Sequence, residues 1–495
     1  MKKNLQELKN KLELNEFTEI LNDGISENFL KQLPIDKASS ECAQLIRITL
    51  KKGQINVAEA IINAAAKSIY AESLDQLKSY IESSSNFFQR RKDTRRPRIC
   101  DPGRRFKNLN RSALIICSRS ESFDFKTMRD KGLAGSETAA LAIAKGFLKR
   151  GHQAVIVCSG NFEEYLDEGV LFYSLSKIQE LREFFWDTII AERDTRAFDM
   201  DWNCSASILD LHDASYNPEN FSAGRLSQID EIWTKTSWHK KHIAKLYPQI
   251  KNPIHVVANG VWDNKEAEEI KLSQKDKNYI LFSSDPSRGL RVLLKIFPQL
   301  KKKFPKLRLD IANGWLDAYG EKYGEGFDCV LTEKAWEARK LWESEEYKKM
   351  DVNFIGRLGQ NELWELQKKA GLWLMPTDFA ETSCITAMEF VKAKTPMVIS
   401  VDQAGALSGT APRKGCYRIE GKIDSKEFQE EFLKKCIEIL ESEQSYKKAF
   451  DDISSVNISK YSWNRAAETA FARSMQISRR NLIKPETQTS TNLGL

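Results

Sequence analysis

GLAGSETAALAIAKGFLKRGHQAVIV (132–157) reads as a glycine-bearing turn, then a helix, then a strand. The small and apolar residues from about Ser136 to Arg150 recur at helical spacing. AVIVCS (154–159) is a short apolar run with β-branched residues, as a buried strand requires. ALIICS (113–118) upstream has the same character, so the pair predicts a strand–helix–strand unit. Gly132 and Gly135 let the backbone come close to a ligand, and the helix N-terminus offers free N–H groups to an anion.

The alternation continues in both directions. Further strands are expected at VLFYS (170–174), DTIIA (187–191), ASILDLH (206–212), EIWTKT (231–236) and IHVVAN (254–259). A second series follows Asp263: NYILFSS (278–284), LRLDIAN (307–313), VNFIG (352–356), GLWLMP (371–376) and PMVIS (396–400). Helices are expected near 288–303, 360–369, 384–394 and 425–442, with a lysine-rich end to the first. Repeated βα units predict parallel sheets covered on both faces. Two series predict an α/β chain of two Rossmann-like domains, 111–262 and 263–460, facing across a ligand cleft. The charged, aromatic stretch 315–350 reads as an insertion or an extra helix pair on the cleft rim.

The flanks differ. Residues 1–88 show only helical periodicity, punctuated by Gly24, Pro34 and Gly53, and their pairs resemble tetratricopeptide-type hairpins. They read as a partner-binding or packing module. Residues 89–110 form a basic linker: ten Lys/Arg lie between Arg90 and Arg111, against only Asp93 and Asp101. The net charge is +7, so the excess is confined to this stretch. That argues against a protein built around nucleic acid, and leaves peripheral contact with an anionic membrane surface open. Residues 461–477 predict a last helix, and 478–495 a polar, disordered tail.

Nine cysteines are scattered without CxxC spacing, and the five histidines do not cluster with them. This predicts reduced, buried thiols in a cytoplasmic protein with no zinc site. The start of the chain has no apolar signal region, and no apolar run reaches membrane-spanning length.

Four segments carry candidate chemistry. The first is the Gly132–Gly135 turn. The second is LHD (211–213), where His212 stands at the carboxyl end of a strand. In the third, SSDPSRGL (283–290), Arg288 opens a helix where a guanidinium suits a diphosphate. The fourth is PTDFAETSCITAMEFVKAKTPMVIS (376–400). Its Glu381 stands before a helix, and Glu389 about two turns into it can hold a ribose diol. Thr382, Ser383 and Cys384 are expected to form that helix's N-terminus.

In order and spacing these segments resemble the GT-B glycosyltransferases of the large retaining group called family 4. IWTKTSWHKKHI (232–243), HVVANGV (255–261) and YSWNRAAETAFARSM (461–475) add to the likeness, which covers about 111–477. The resemblance implies transfer of a sugar from a nucleoside diphosphate sugar, with retention and without metal or cofactor. UDP- and GDP-sugars are not distinguished, and the acceptor is a saccharide, a lipid-linked sugar or a protein. It places Gly135 near the donor phosphates, Arg288 on the diphosphate, His212 and Glu381 near the sugar, and Glu389 on the ribose. Glu381 and Glu389 share one turn and helix, so they do not flank a bond as glycosidase carboxylates do. Front-face attack is the expected mechanism.

Two departures stand out. Ser283 occupies a place where many members carry a phosphate-binding Arg, with Arg291 and Lys295 as candidates to replace it. Thr382-Ser383-Cys384 replaces a glycine-rich turn. An inverting transferase, a sugar-nucleotide epimerase, or a catalytically silent scaffold using the helical module are the competing readings.

Overall fold

The computed structural model describes residues 112–263, 266–313 and 330–483. The helical module, the basic linker and the last twelve residues lie outside them.

The first domain alternates strands and helices. Its strands are β1 (Ser112–Cys117), β2 (Gln153–Cys158), β3 (Glu164–Asp167), β4 (Val170–Ser174), β5 (Thr188–Glu192), β6 (Ser207–Asp210), β7 (Glu231–Thr234) and β8 (Ile254–Val256). Helix α1 (Phe125–Lys131) and helix α2 (Gly135–Leu148) join β1 to β2, and α3 (Ser237–Leu246) joins β7 to β8. The strands lie in the order β3-β4-β2-β1-β5-β6-β7-β8. Every residue of β1, β5, β6 and β7 is buried, as a parallel sheet covered on both faces demands.

Only β3 runs antiparallel, pairing with β4 at the edge. The sequence reading missed it because EYLD is polar and half exposed, with Leu166 open to solvent.

The second domain has β9 (Asp276–Phe282), α4 (Leu290–Lys303), β10 (Arg308–Ile311), α5 (Val330–Trp342), β11 (Val352–Phe354), α6 (Gln360–Lys369), β12 (Ala370–Met375), α7 (Ile385–Lys392), β13 (Met397–Ser400) and β14 (Cys416–Ile419). Helices α8 (Lys426–Leu440), α9 (Glu443–Ser454) and α10 (Trp463–Ile483) follow. The sheet is wholly parallel, in the order β11-β10-β9-β12-β13-β14. In both sheets the chain builds outward on one side of its first strand and then returns to the other. The switch points are β1/β5 and β9/β12, and at such points the carboxyl ends part to leave a crevice.

Three expectations are corrected. The stretch 315–350 does carry a helix, but as far as it is described α5 is the crossover between the paired strands β10 and β11 rather than an insertion or an extra pair. Edge strand β14 was missed, being only four residues long and half exposed at its centre. The helix expected over 461–477 continues to Ile483, so the polar tail begins later than residue 478. Ile477 is buried, and Asn481 donates to Ser205 O (2.9 Å) and Asp230 Oδ1 (3.0 Å).

Pro298 lies inside α4 and has no N–H for the Leu294 carbonyl four residues back. The Tyr347 hydroxyl donates to that carbonyl instead, at 2.5 Å. At the start of the same helix Gly289 has φ +96°, and a Cβ there would collide with the Pro376 carbonyl. Only glycine fits that turn.

Helix α10 starts at the second domain and returns to the first. Val261 N–H donates to Tyr461 O (2.6 Å) and Trp463 N–H to Val261 O (3.0 Å). Ala467 then packs against Gly146 of α2, and Arg473 pairs with the buried Glu231.

Candidate functional site

A cavity of about 350 Å³ opens where loops of both domains meet. The first domain contributes Gly132 to Gly135 and Thr138. The second contributes Ser283 to Asp285 and Arg288 after β9, Ala312 and Asn313 after β10, Arg357 and Leu358 after β11, and Ile385, Thr386, Glu389 and Lys392 of α7. Gln360, Leu363, Trp364 and Gln367 of α6 also line it, as do Val261, Trp262 and Trp463 at the crossing between the domains. This is the carboxyl edge of the second sheet at its switch point, where α/β folds hold ligands.

Gly132 has φ +71°, and a Cβ on it would lie 2.5 Å from the Leu358 carbonyl. The turn therefore needs glycine and sits directly against the loop after β11. Ala134 caps α2 with no side-chain hydrogen bond, so its first N–H groups have no side-chain acceptor at the cap, while Ile385 Cδ1 lies 3.1 Å from where a Gly135 Cβ would stand. Glu137 in its first turn is held aside, accepting from Ser120 Oγ (2.7 Å) and Ser136 Oγ (3.0 Å). The result is an anion-favouring helix end facing the cavity.

Arg288 is about one-third exposed and donates to Glu381 Oε1 at 3.0 Å. Its guanidinium lies over the Phe379 ring, 4.1 Å from the centroid. Burial alone would lower its pKa. The Glu381 and Asp285 carboxylates outweigh that and hold it above the usual arginine value. Glu381 is itself buried, and its main chain is fixed where Ala406 N–H donates to its carbonyl (2.6 Å).

Glu389 is held by two amides. Gln360 Nε2 donates to one oxygen and Gln367 Nε2 to the other, each at 3.0 Å. Burial raises its pKa, against the pull of those donors and of Lys392. Lys392 is buried one turn on, its ammonium 4.3 Å from the centre of the Trp364 ring. Burial pushes it down to about 8, with Glu389 as the main opposing charge.

His212 follows β6 and does not line the cavity. Its Nε2 is 3.3 Å from Asp210 Oδ2 and 3.9 Å from Glu192 Oε1. Lys235, fully buried, places its ammonium 2.6 and 2.7 Å from the two Asp210 oxygens. Burial and the Lys235 charge lower the His212 pKa, so the ring is neutral. Burial, then Asp210, pushes the Glu192 carboxyl well up, and Cys117 Sγ donates to it at 3.5 Å. Glu192, Asp210 and His212 approach within 4.8 Å of one another, close enough to share an ion. The ammonium of Lys235 already occupies Asp210, so the cluster carries its own cation.

The neighbouring His239 is a satisfied structural ring. Its Nδ1 accepts from Lys235 N–H (3.2 Å), so Nε2 is left to donate to Asp213 O (3.0 Å).

The segment expected to open α7 serves another purpose. Thr382 straps the domains together: its Oγ1 donates to His212 O (2.7 Å), and its carbonyl accepts from Thr236 Oγ1 (2.9 Å). Cys384 is the N-cap residue, and burial raises its thiol pKa. Ser383 Oγ is buried without a hydrogen-bond partner. The helix starts at Ile385, and the N-terminal residues at the cavity are Ile385 and Thr386 rather than Thr382 to Cys384.

Of the eight residues singled out in the sequence, Gly135, Arg288 and Glu389 line the cavity, and Glu381 reaches it through Arg288. His212, Thr382, Ser383 and Cys384 are not among its lining residues. The sequence reading missed Arg357, Gln360, Trp364, Gln367 and Lys392. A signal was present in GRLGQ (356–360), an arginine between two glycines just past a strand end, where SSDPSRGL stands after β9. Arg291 and Lys295 lie elsewhere: Arg291 grips Asp424, and Lys295 donates to Glu337 (2.5 Å).

Residues 263–450 match the family described as Glycosyl transferases group 1. No curated protein matches the chain. Among solved structures, the chain is similar to sucrose-phosphate synthase from Thermosynechococcus elongatus (11% identity, TM-score 0.55, 75% of this chain and 100% of that one). It is also similar to a glycosyltransferase from Rickettsia africae (12%, 0.53, 76% and 100%). The catalytic domain of starch synthase IV from Arabidopsis thaliana, bound to ADP and acarbose, is a third (9%, 0.52, 75% and 99%). At these identities the likeness is one of fold: two parallel-sheet α/β domains in the GT-B arrangement.

Proposed function

We propose that this chain transfers a sugar from a nucleoside diphosphate sugar to an acceptor, with retention and without a metal. The observation that carries this reading is the cavity at the β9/β12 switch point. There an uncapped helix end, arginines and a buried carboxyl held by two amides converge between the domains. The family match over 263–450 covers the domain that supplies most of that lining and supports sugar transfer.

The roles follow from the chemistry of each group. The end of α2 at Gly135 and the Arg288 guanidinium receive the diphosphate. On binding, the diphosphate takes Arg288 over from Glu381. The released Glu381 then accepts hydrogen bonds from the sugar. Glu389, positioned by Gln360 and Gln367, holds the ribose diol. His212, neutral and turned toward Asp210, fixes the wall beside the Thr382 strap on the acceptor side. The leaving phosphate oxygen takes the acceptor's proton in front-face attack, with cations and helix N–H groups stabilising the developing charge.

A thermal-shift screen against UDP, GDP, ADP, CMP and their sugars, with and without Mg²⁺, tests the reading. One base should stabilise the wild type without metal; at about 100 times its Kd it adds ~2.7 kcal/mol. Glu389→Ala should weaken that shift. Product anomeric NMR then tests retention. A wild type blind to every nucleotide would refute the reading and restore the silent scaffold.

A further inference from the structure

A diphosphate carries more charge than one arginine neutralises, and Ser283, where the resemblance leads one to expect a second cation, supplies none. Its hydroxyl is buried without a partner at the cavity and brings no charge. The two replacements suggested by the sequence are committed elsewhere, Arg291 to Asp424 and Lys295 to Glu337. Among the described residues, three cations remain in the cavity lining: Arg288, Lys392 and Arg357. Arg288 is paired with Glu381. Lys392 is buried between the Trp364 ring and Glu389, the carboxylate to which the proposed function assigns the ribose diol. Arg357 is exposed, and among the described residues no carboxylate partners it.

Its position matters as much as its freedom. Arg357 belongs to the second domain, yet its turn rests against the glycine turn of the first. The Leu358 carbonyl lies 2.5 Å, and Arg357 Nε 4.0 Å, from where a Gly132 Cβ would stand. Gly132 leads directly into the uncapped end of α2. Arg357 therefore brings five donors to the helix end, across the domain boundary, and its planar fork suits two phosphate oxygens at once.

We propose that Arg357 is the second diphosphate-binding cation of this site, replacing the charge absent at Ser283 and closing the two domains over the donor's phosphates. This rests on the nucleotide-sugar reading above and deepens it.

The test is calorimetric titration of wild type, Arg357→Ala, Arg357→Lys and Lys295→Ala. The ligands are the nucleoside diphosphate found by the screen and the corresponding nucleoside. Arg357→Ala should lose diphosphate affinity by ~10–100-fold, as the loss of charge-assisted bonds implies. Nucleoside affinity should change by less than about twofold. Arg357→Lys should recover part of the loss, keeping the charge without the fork. Lys295→Ala should behave as wild type.

Unchanged diphosphate affinity in Arg357→Ala would overturn the proposal while leaving the nucleotide-sugar reading intact. So would an equal loss for the nucleoside, which would make Arg357 a wall of the cavity, or an equal loss in Lys295→Ala, which would reduce the effect to general charge. A wild type that binds no nucleotide would overturn both. Arg357 is exposed, so the melting temperature of each unliganded variant should stay within about 2 °C of wild type.

Discussion

Replacing Lys235 by methionine should unbalance the first domain in a pH-dependent way. Lys235 is 1% exposed and Asp210 0%, and the ammonium sits 2.6 and 2.7 Å from the two carboxylate oxygens. Methionine keeps the volume of the stem but leaves Asp210 ionised in a dry site beside Glu192. Breaking a buried pair on one side costs about 3–5 kcal/mol. For a domain of 150–250 residues each kcal/mol moves Tm by about 2–4 °C, so a fall of roughly 6–20 °C is expected at pH 8.

The sign with pH follows from the neighbours. In the wild type burial would raise the Asp210 pKa, but the Lys235 ammonium and the hydrogen bonds from Lys235 and His212 outweigh it and hold Asp210 below its usual value, so its contribution to stability is present above the unfolded carboxylate pKa and is lost in acid. His212 is held low by burial and by Lys235, so it is neutral when folded and costs stability as pH falls below about 6.5. Without the ammonium, His212 can protonate against Asp210 and take over as its cation. The gap between variant and wild type should therefore be widest at pH 8 and shrink toward pH 5.5. Urea titrations at four pH values across that range measure it. A loss below about 1 kcal/mol at pH 8, or one that does not change with pH, would refute the account of the cluster.

Tyr347→Phe should cost about 1–3 kcal/mol, because it strands the buried Leu294 carbonyl that Pro298 leaves without its helical donor. Thermal melts read the loss, and a neutral variant would mean that the carbonyl finds another donor. Lys392→Met should stabilise the unliganded protein below pH 8, by up to about 3 kcal/mol. There the folded state bears the full cost of a buried ammonium whose pKa falls from 10.5 to about 8, and that cost is relieved as pH rises toward 10.5. A gain that persists unchanged at pH 10 would refute the burial argument.

The α/β alternation, the two series of βα units and twelve of the fourteen strands among the described residues are legible in the sequence. A parallel strand buried on both faces must be a short apolar run, and that is a local property of ALIICS or GLWLM. What escaped was local only in part. β3 and β14 are edge strands whose exposed residues break the apolar run, and a β-ladder partner rather than a pattern makes them strands. Candidate residues tied to a turn and a helix start, Gly135, Arg288 and Glu389, came together at the cavity because βα topology alone carries them to one sheet edge.

The tertiary structure decided how those groups are engaged. Arg288 meets Glu381 across 93 residues of sequence, and Asp210 meets Lys235 across 25. Thr382 reads as a helix N-terminus in the sequence, but it faces His212 across 170 residues and becomes a strap. Arg357 carries no signal of its own beyond the glycines around it, and only the packed domains lay its turn, through the Leu358 carbonyl, on Gly132. Periodicity reports which face of an element is buried, because burial repeats along the chain. Charge pairing and ligand contact do not repeat: each depends on where two distant loops meet, and only the packed domains bring them together.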